Sequence, residues 1–278
     1  PYELTAAFIP SLAEVSGNWT TTTGYTTVTS GYTRIYKDGS KIDGTNIALK
    51  TLPYMPAGAY RVTAQVATNN DASNIWITAQ NEQASTYTSG TSTYKTFTVD
   101  ASVTEADEFT FNLGLRQVYD QWAAGATEVR AKDYRLYYIG SQVDFDEALR
   151  KMLQSYINDA NDFSMEPMNM DVRATFHEAV DEAQAICDKL GDGSMAITHA
   201  SVVSTIEQLL AARDLVQESI EAYRVLGLQI ASAYAKHLLY PQQHGYDIFS
   251  AEMDDVETAY YDGDYADSDI PEAVITVK

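Results

Sequence analysis

Pro56-Ala57-Gly58-Ala59-Tyr60-Arg61-Val62-Thr63-Ala64-Gln65-Val66 opens on a turn signal and then alternates, with apolar Tyr60, Val62, Ala64 and Val66 separated by polar Arg61, Thr63 and Gln65. Side chains of an extended strand point to opposite faces in turn, so a period of two predicts one buried face and one wet face. Phe109, Phe111, Leu113 and Leu115 repeat the pattern against Thr110, Asn112, Gly114 and Arg116. Similar short runs occur at Asn46 to Leu52, Asn74 to Gln80, Tyr94 to Val99 and Tyr134 to Ile139, separated by turn signals such as Asp38-Gly39 and Asp43-Gly44. Regular short strands with no helix between them predict an antiparallel β-sandwich with jelly-roll or immunoglobulin-like connections.

Composition changes near Gly140 to Val143. Residues 1–143 hold 23 of the 28 threonines and carry 10 basic against 13 acidic side chains, whereas residues 144–278 hold 5 threonines and carry 8 basic against 26 acidic ones. Threonine suits pleated strands, so the chain is expected to be multidomain, β then α, with a β-sandwich at 1–143 and a helical bundle at 144–278. Of the net charge of -21, -18 falls in the second half.

In that half Phe145, Leu149, Met152, Tyr156, Ile157 and Ala160 recur at three and four, with Asp144 and Glu147 spaced as a capping box. Val172, Phe176, Val180, Ala183, Ile186 and Leu190 form a second stripe that is expected to end in a left-handed cap at Gly191. A third stripe, from Val202 to Leu238, runs without proline and predicts one helix from about Thr198 to Tyr240, roughly 60 Å long at 1.5 Å per residue. Gly227 is its weakest point. A shift of 73 residues aligns Leu153 with Leu226, Ile157 with Ile230, Ala160 with Ala233, Phe176 with Phe249, Asp181 with Asp254, Ile197 with Ile270 and Ala200 with Ala273. This predicts one full three-helix repeat, about 144–215, and one incomplete repeat, about 216–278, sharing the long helix. A chain that stops inside a third helix and begins at Pro1 is expected to be a trimmed piece of a longer protein.

Charge and motifs exclude several classes. An excess of 39 acidic over 18 basic residues repels phosphate backbones and anionic membranes, so no nucleic-acid partner is expected. No run approaches the roughly 20 apolar residues of a membrane span. A single cysteine, Cys187, excludes an internal disulfide and reads as a small core hydrophobe. The four histidines form no close metal pair, and no nucleophile elbow, phosphate loop or dinucleotide fingerprint occurs. Asp262, Asp264, Asp267 and Asp269 fail the EF-hand register, because Asp267 and Ala273 stand where glycine and glutamate are required. They read as a solvated loop with N-capping aspartates.

Three segments carry a family resemblance. Leu4-Thr5-Ala6-Ala7-Phe8-Ile9 leading to Gly17-Asn18-Trp19, Leu52-Pro53-Tyr54-Met55-Pro56-Ala57-Gly58 with its following strand, and Asp133-Tyr134-Arg135-Leu136-Tyr137-Tyr138-Ile139-Gly140 resemble the galactose-binding-like jelly rolls, related to carbohydrate-binding modules, of Bacteroidota secreted and surface proteins. Val129 stands where such modules often carry Trp, and a longer loop, Gln117 to Thr127, intervenes. Tyr261-Asp262-Gly263-Asp264-Tyr265-Ala266-Asp267-Ser268-Asp269-Ile270 and Glu272-Ala273-Val274 resemble FIVAR-like three-helix repeats. The resemblance implies a noncatalytic, secreted or cell-surface carbohydrate-binding or adhesin-like protein whose partner is a glycan or glycoconjugate. It also implies a structural calcium as the one candidate cofactor, with Glu3 and Asp133 as its ligands.

Sugar recognition needs flat aromatic faces for C–H packing and nearby amides or carboxylates for hydroxyls. Tyr119, Asp120 and Trp122 provide that mixture in the Gln117 to Thr127 loop, where the two rings also suit a hydrophobic plug. Trp76 is out of phase with Ile75 and Ile77, so its strand exposes either the ring or the isoleucines. Tyr32 and Tyr36 flank Arg34 at strand spacing, as a ligand strip or as surface cross-strand pairs. Two other readings compete with glycan binding. One is an accessory region of a larger carbohydrate-active enzyme; the other is a protein-interaction module whose acidic helical half attracts basic partners.

Overall fold

A computed structural model describes residues 1–4, 19–22, 24, 26–28, 32–37, 44–69, 73–80, 82–84, 91–104, 110–119, 127–161, 166–192, 197–239 and 246–277. Eleven strands precede five helices among them: β1 Tyr2–Glu3, β2 Trp19–Thr21, β3 Thr26–Val28, β4 Thr33–Lys37, β5 Gly44–Pro53, β6 Gly58–Thr68, β7 Ser73–Ala79, β8 Glu82–Gln83, β9 Thr91–Val103, β10 Thr110–Tyr119 and β11 Thr127–Tyr138, then α1 Gln142–Asn161, α2 Met170–Asp192, α3 His199–Leu238, α4 Tyr246–Asp262 and α5 Ile270–Val277. The chain divides into two compact units, Pro1–Met152 with Leu190–Ala200 and Leu153–Lys189 with Ser201–Lys278.

The first unit holds two antiparallel sheets. One has the order β3-β4-β11-β6-β9, with β1 also paired to β11; the other runs β2-β5-β10-β7-β8. Alternation is realised where it was read: Tyr60, Val62, Ala64 and Val66 of β6 and Phe111, Leu113 and Leu115 of β10 are buried. Phe109 lies outside the described residues. Tyr60 crosses from one sheet to Phe111 of the other at 5.3 Å between ring centroids, and Tyr138 meets Tyr60 edge-on at 5.4 Å. Gly58, φ +154°, is required here, because the Tyr138 ring lies 2.3 Å from where a Cβ would stand. Phe145 of α1 continues the cluster against Tyr138 and Tyr2. Each fully buried large apolar side chain in such a core contributes roughly 1.5 to 3 kcal/mol relative to exposure.

The second unit is helical. The long stripe forms one unbroken 40-residue helix, α3, and Gly227 lies inside it without a break. Tyr223, Leu226, Ile230 and Ala233 of α3 form a core with Met253 of α4 and Ile270 of α5. Of the pairs 73 residues apart, Leu153 with Leu226, Ile157 with Ile230 and Ala160 with Ala233 are buried in both members, whereas Phe176 with Phe249, Ile197 with Ile270 and Ala200 with Ala273 differ in burial.

Three local expectations are corrected. The capping box of α1 is Ser141 with Asp144, one turn earlier than Asp144 with Glu147: the Ser141 Oγ accepts the Asp144 N–H at 3.2 Å and Asp144 Oδ2 accepts the Ser141 N–H at 2.8 Å. Glu147 instead pairs with Arg150 at 2.7 Å. Gly191 stays helical, α2 ending at Asp192, and takes no left-handed cap. The loop read from Gln117 begins later, since β10 runs through Tyr119 and Gln117 is fully buried.

The aspartate-rich stretch after α4 is anchored from within. Gly263 turns the chain at φ +81° and its carbonyl accepts the Met170 N–H at 2.8 Å. Asn169 caps α2 through its Oδ1 and donates from Nδ2 to the Tyr265 carbonyl at 2.8 Å, which also accepts the Tyr223 hydroxyl at 2.7 Å. Ser219 Oγ accepts the Asn169 N–H at 3.0 Å and donates to Asp267 Oδ1 at 2.7 Å. This network satisfies polar groups that burial would otherwise leave unpaired.

Candidate functional site

The best-formed candidate surface is the outer face of the five-stranded sheet. β7 pairs antiparallel with β10 so that Trp76 stands opposite Arg116, which stands opposite Ile47 of β5. Ile75 and Ile77 are fully buried, so the isoleucines take the core side and Trp76 projects outward, half-buried. Core packing of Trp76 is therefore excluded by the register. The Arg116 guanidinium carbon lies 5.5 Å from the centroid of the Trp76 ring, within cation–π range.

One row along, Thr78 stands opposite Gly114, which stands opposite Leu49. Gly114 cannot be replaced quietly, because a Cβ there would meet the Ala48 carbonyl oxygen at 2.0 Å and Leu49 Cδ2 at 2.8 Å. Thr78 is buried and, among the described residues, its Oγ1 has no hydrogen-bond partner. Ring, guanidinium and apolar shelf thus share one face, with the Thr78 hydroxyl buried beneath it. Chemically, it offers a flat surface for C–H packing and donors for hydroxyl or carboxylate oxygens.

Other sequence-derived candidates fall elsewhere. The Tyr119 backbone pairs with Gly44 and Ser73, and its strand continues from Arg116. Asp120 and Trp122 lie outside the described residues. Tyr32, Arg34 and Tyr36 sit on the other sheet. The Arg34 guanidinium covers the Tyr36 ring at 4.1 Å, Arg130 approaches Tyr32 at 5.8 Å, and both arginines pair with Glu128. That strip is held together by cross-strand contacts.

The residues suggested for calcium do not fit it. Glu3 stands opposite Tyr137, four positions from Asp133 along β11 and on the order of 10 Å away at strand spacing. The Glu3 carboxylate lies 3.5 Å from Arg135, while Asp133, at a bulge with φ 51°, lies 3.8 Å from Lys132. Among the described residues no group of three or more His, Cys, Asp or Glu is placed to hold a metal ion.

Two further grooves lie among the described residues. In the first unit a cavity of about 420 Å³ is lined by Ala57, Tyr138, Asp144, Glu147, Lys151 and Met152. In the second, a groove of about 290 Å³ is bordered by Tyr234, Tyr260, Tyr261, Glu257, Leu228 and Arg224. The sequence reading missed Arg116, Thr78 and this tyrosine groove. Alternation does place Arg116 outward, but its pairing with Trp76 depends on a register between strands 40 residues apart.

Comparison with known proteins adds fold neighbours only. No family model matches the chain. No curated protein matches it either. Solved structures do match. A structure described as "CBM4 structure and function" aligns at 13% identity and a TM-score of 0.32, over 48% of this chain and 97% of that one. A cyclase from Fischerella sp. TAU aligns at 16% identity and a TM-score of 0.31, over 51% of this chain and 98% of that one. TmCBM61, solved in complex with beta-1,4-galactotriose, aligns at 10% identity and a TM-score of 0.26, over 48% of this chain and 95% of that one. Carbohydrate-binding modules and an enzyme thus stand side by side at similar scores, and such distant likeness does not choose between them. Among the described residues no helix is long and apolar enough to cross a membrane.

Proposed function

We propose that the β unit is a noncatalytic glycan-recognition domain, a jelly roll of the galactose-binding-like kind in a secreted or cell-surface, adhesin-like protein. The observation that carries this reading is the outward Trp76 ring with Arg116 beside it, on a sheet face rather than in the core. A sugar ring would pack its C–H face on the indole while Arg116 donates to ring or exocyclic oxygens. The helical unit, read as one complete and one incomplete FIVAR-like three-helix repeat, would serve as a stalk or docking surface.

The test is retention of the full chain on a glycan array and on polysaccharide affinity gels, compared with Trp76→Ala. Stacking of this kind is worth roughly 1 to 3 kcal/mol where aromatic side chains stack on nucleic-acid bases, a loose analogue for a sugar. Loss of retention by a variant that still folds supports the reading. No retention on any neutral or charged glycan, or retention that survives Trp76→Ala unchanged, refutes it.

A further inference from the structure

We propose that the tyrosine groove between α3 and α4 is a docking site for a lysine or arginine side chain presented by a partner protein. α4 carries six acidic residues and no basic one. The Tyr234 hydroxyl lies 2.9 Å from Asp254 Oδ1 and 3.1 Å from Glu257 Oε2, so its single proton is shared between two carboxylates, of which Glu257 lines the groove. Tyr260 and Tyr261 meet edge-on at 5.0 Å and supply two further aromatic surfaces. Rings around a carboxylate attract a cation through their negative faces and through direct charge. Glu166 adds its field at Tyr260. The one cation on the groove wall, Arg224, is held by both oxygens of Glu221, at 2.6 and 3.0 Å, which leaves Glu257 to the occupant.

Size and surroundings select the occupant. At about 290 Å³ the groove falls just below the roughly 300 to 1,000 Å³ of small-molecule pockets, and suits one long side chain. Its wall carries an exposed apolar shelf, Leu228, which is 62% exposed. A free ammonium would leave that shelf wet, whereas a partner surface would cover it. A second copy of this chain is disfavoured, since each copy brings a net charge of -21.

The experiment uses the full chain and a short fluorescent peptide alternating lysine and leucine, titrated at physiological ionic strength, where screening over about 8 Å removes long-range attraction. Glu257→Gln preserves shape and Tyr261→Ala removes a largely exposed ring, so both should stay helical by circular dichroism. Each is expected to weaken binding about tenfold, within the range of a desolvated cation–π contact. Asp181→Asn, a comparable exposed change on α2, and Trp76→Ala on the sheet should leave it within about twofold. Equal losses in Glu257→Gln and Asp181→Asn would reveal general charge attraction and overturn the site, as would no binding. Full displacement of the peptide by butylamine would mark a small-cation pocket and overturn the protein partner. Because glycan retention is scored separately through Trp76, either reading can fail while the other stands.

Discussion

Ser219→Ala tests the polar network that ties the segment after α4 to α3. Ser219 is fully buried, and its hydroxyl serves two partners, the Asn169 N–H and Asp267 Oδ1. Removing it leaves the N–H of Asn169, only 8% exposed, without an acceptor. An unsatisfied buried donor costs roughly 1 to 3 kcal/mol. The lost bond to a carboxylate would add a similar amount if Asp267 were fully buried, but this residue is half-exposed and recovers water, so we count under about 1 kcal/mol for it. Alanine's better helix propensity returns a few tenths of a kcal/mol. The sum is a loss of about 2 kcal/mol. Urea unfolding of the full chain, followed by far-ultraviolet ellipticity, would measure it. Tyr223→Phe is the comparison: the Tyr265 carbonyl keeps its bond from Asn169, so about 1 kcal/mol is expected. A double-mutant cycle with Asp267→Asn should show coupling above roughly 0.5 kcal/mol. A Ser219→Ala loss below about 0.5 kcal/mol, or strict additivity with Asp267→Asn, would refute the network as a source of stability.

Further outcomes follow from single contacts. Burial holds the His199 imidazole down at about 4, against the opposing hydrogen bond to the Tyr54 carbonyl. The unfolded chain therefore binds the proton more readily between about pH 6.5 and 4, so stability present above 6.5 should fall by ~3 kcal/mol as pH drops through that window. His199→Gln should flatten that part of the profile of urea midpoint against pH, and an unchanged slope would remove His199 as its source. Gly227→Ala ought to stabilise α3 by about 1 kcal/mol on propensity alone. Its new Cβ would lie 2.6 Å from the Tyr260 hydroxyl, however, and push a ring that stacks on Tyr223 at 5.7 Å. We expect no gain and a loss of up to about 1 kcal/mol; a rise in thermal midpoint would show that the ring yields freely.

Where the deciding physics is local, the sequence was legible. The alternation in β6 and β10 reports the pleat of each strand, and the three-and-four spacing in α3 reports a helix surface, so the sheets and the long helix could be read from residues only two to four apart. The first cap of α1 was misplaced by a turn because Ser141 and Asp144 have the same short-range grammar as Asp144 and Glu147. Only the backbone shows which pair closes the helix end. For the site, the alternation around Trp76 left two orientations open, and the Tyr119, Asp120 and Trp122 proposal falls largely outside the described residues.

What the amino-acid order determined by itself is the division into an almost neutral, threonine-rich β half and an acidic helical half, together with most of the buried faces. What only the tertiary structure decided is which residues meet. Trp76 faces outward because β10 presents Leu115 beside Ile77 and Arg116 beside Trp76, a matter of register rather than composition. Asn169, Ser219 and Tyr265 come together across 50 and 96 residues of chain. Such contacts depend on packing and loop closure, whose free energies belong to the whole fold and leave no periodic mark on any short segment.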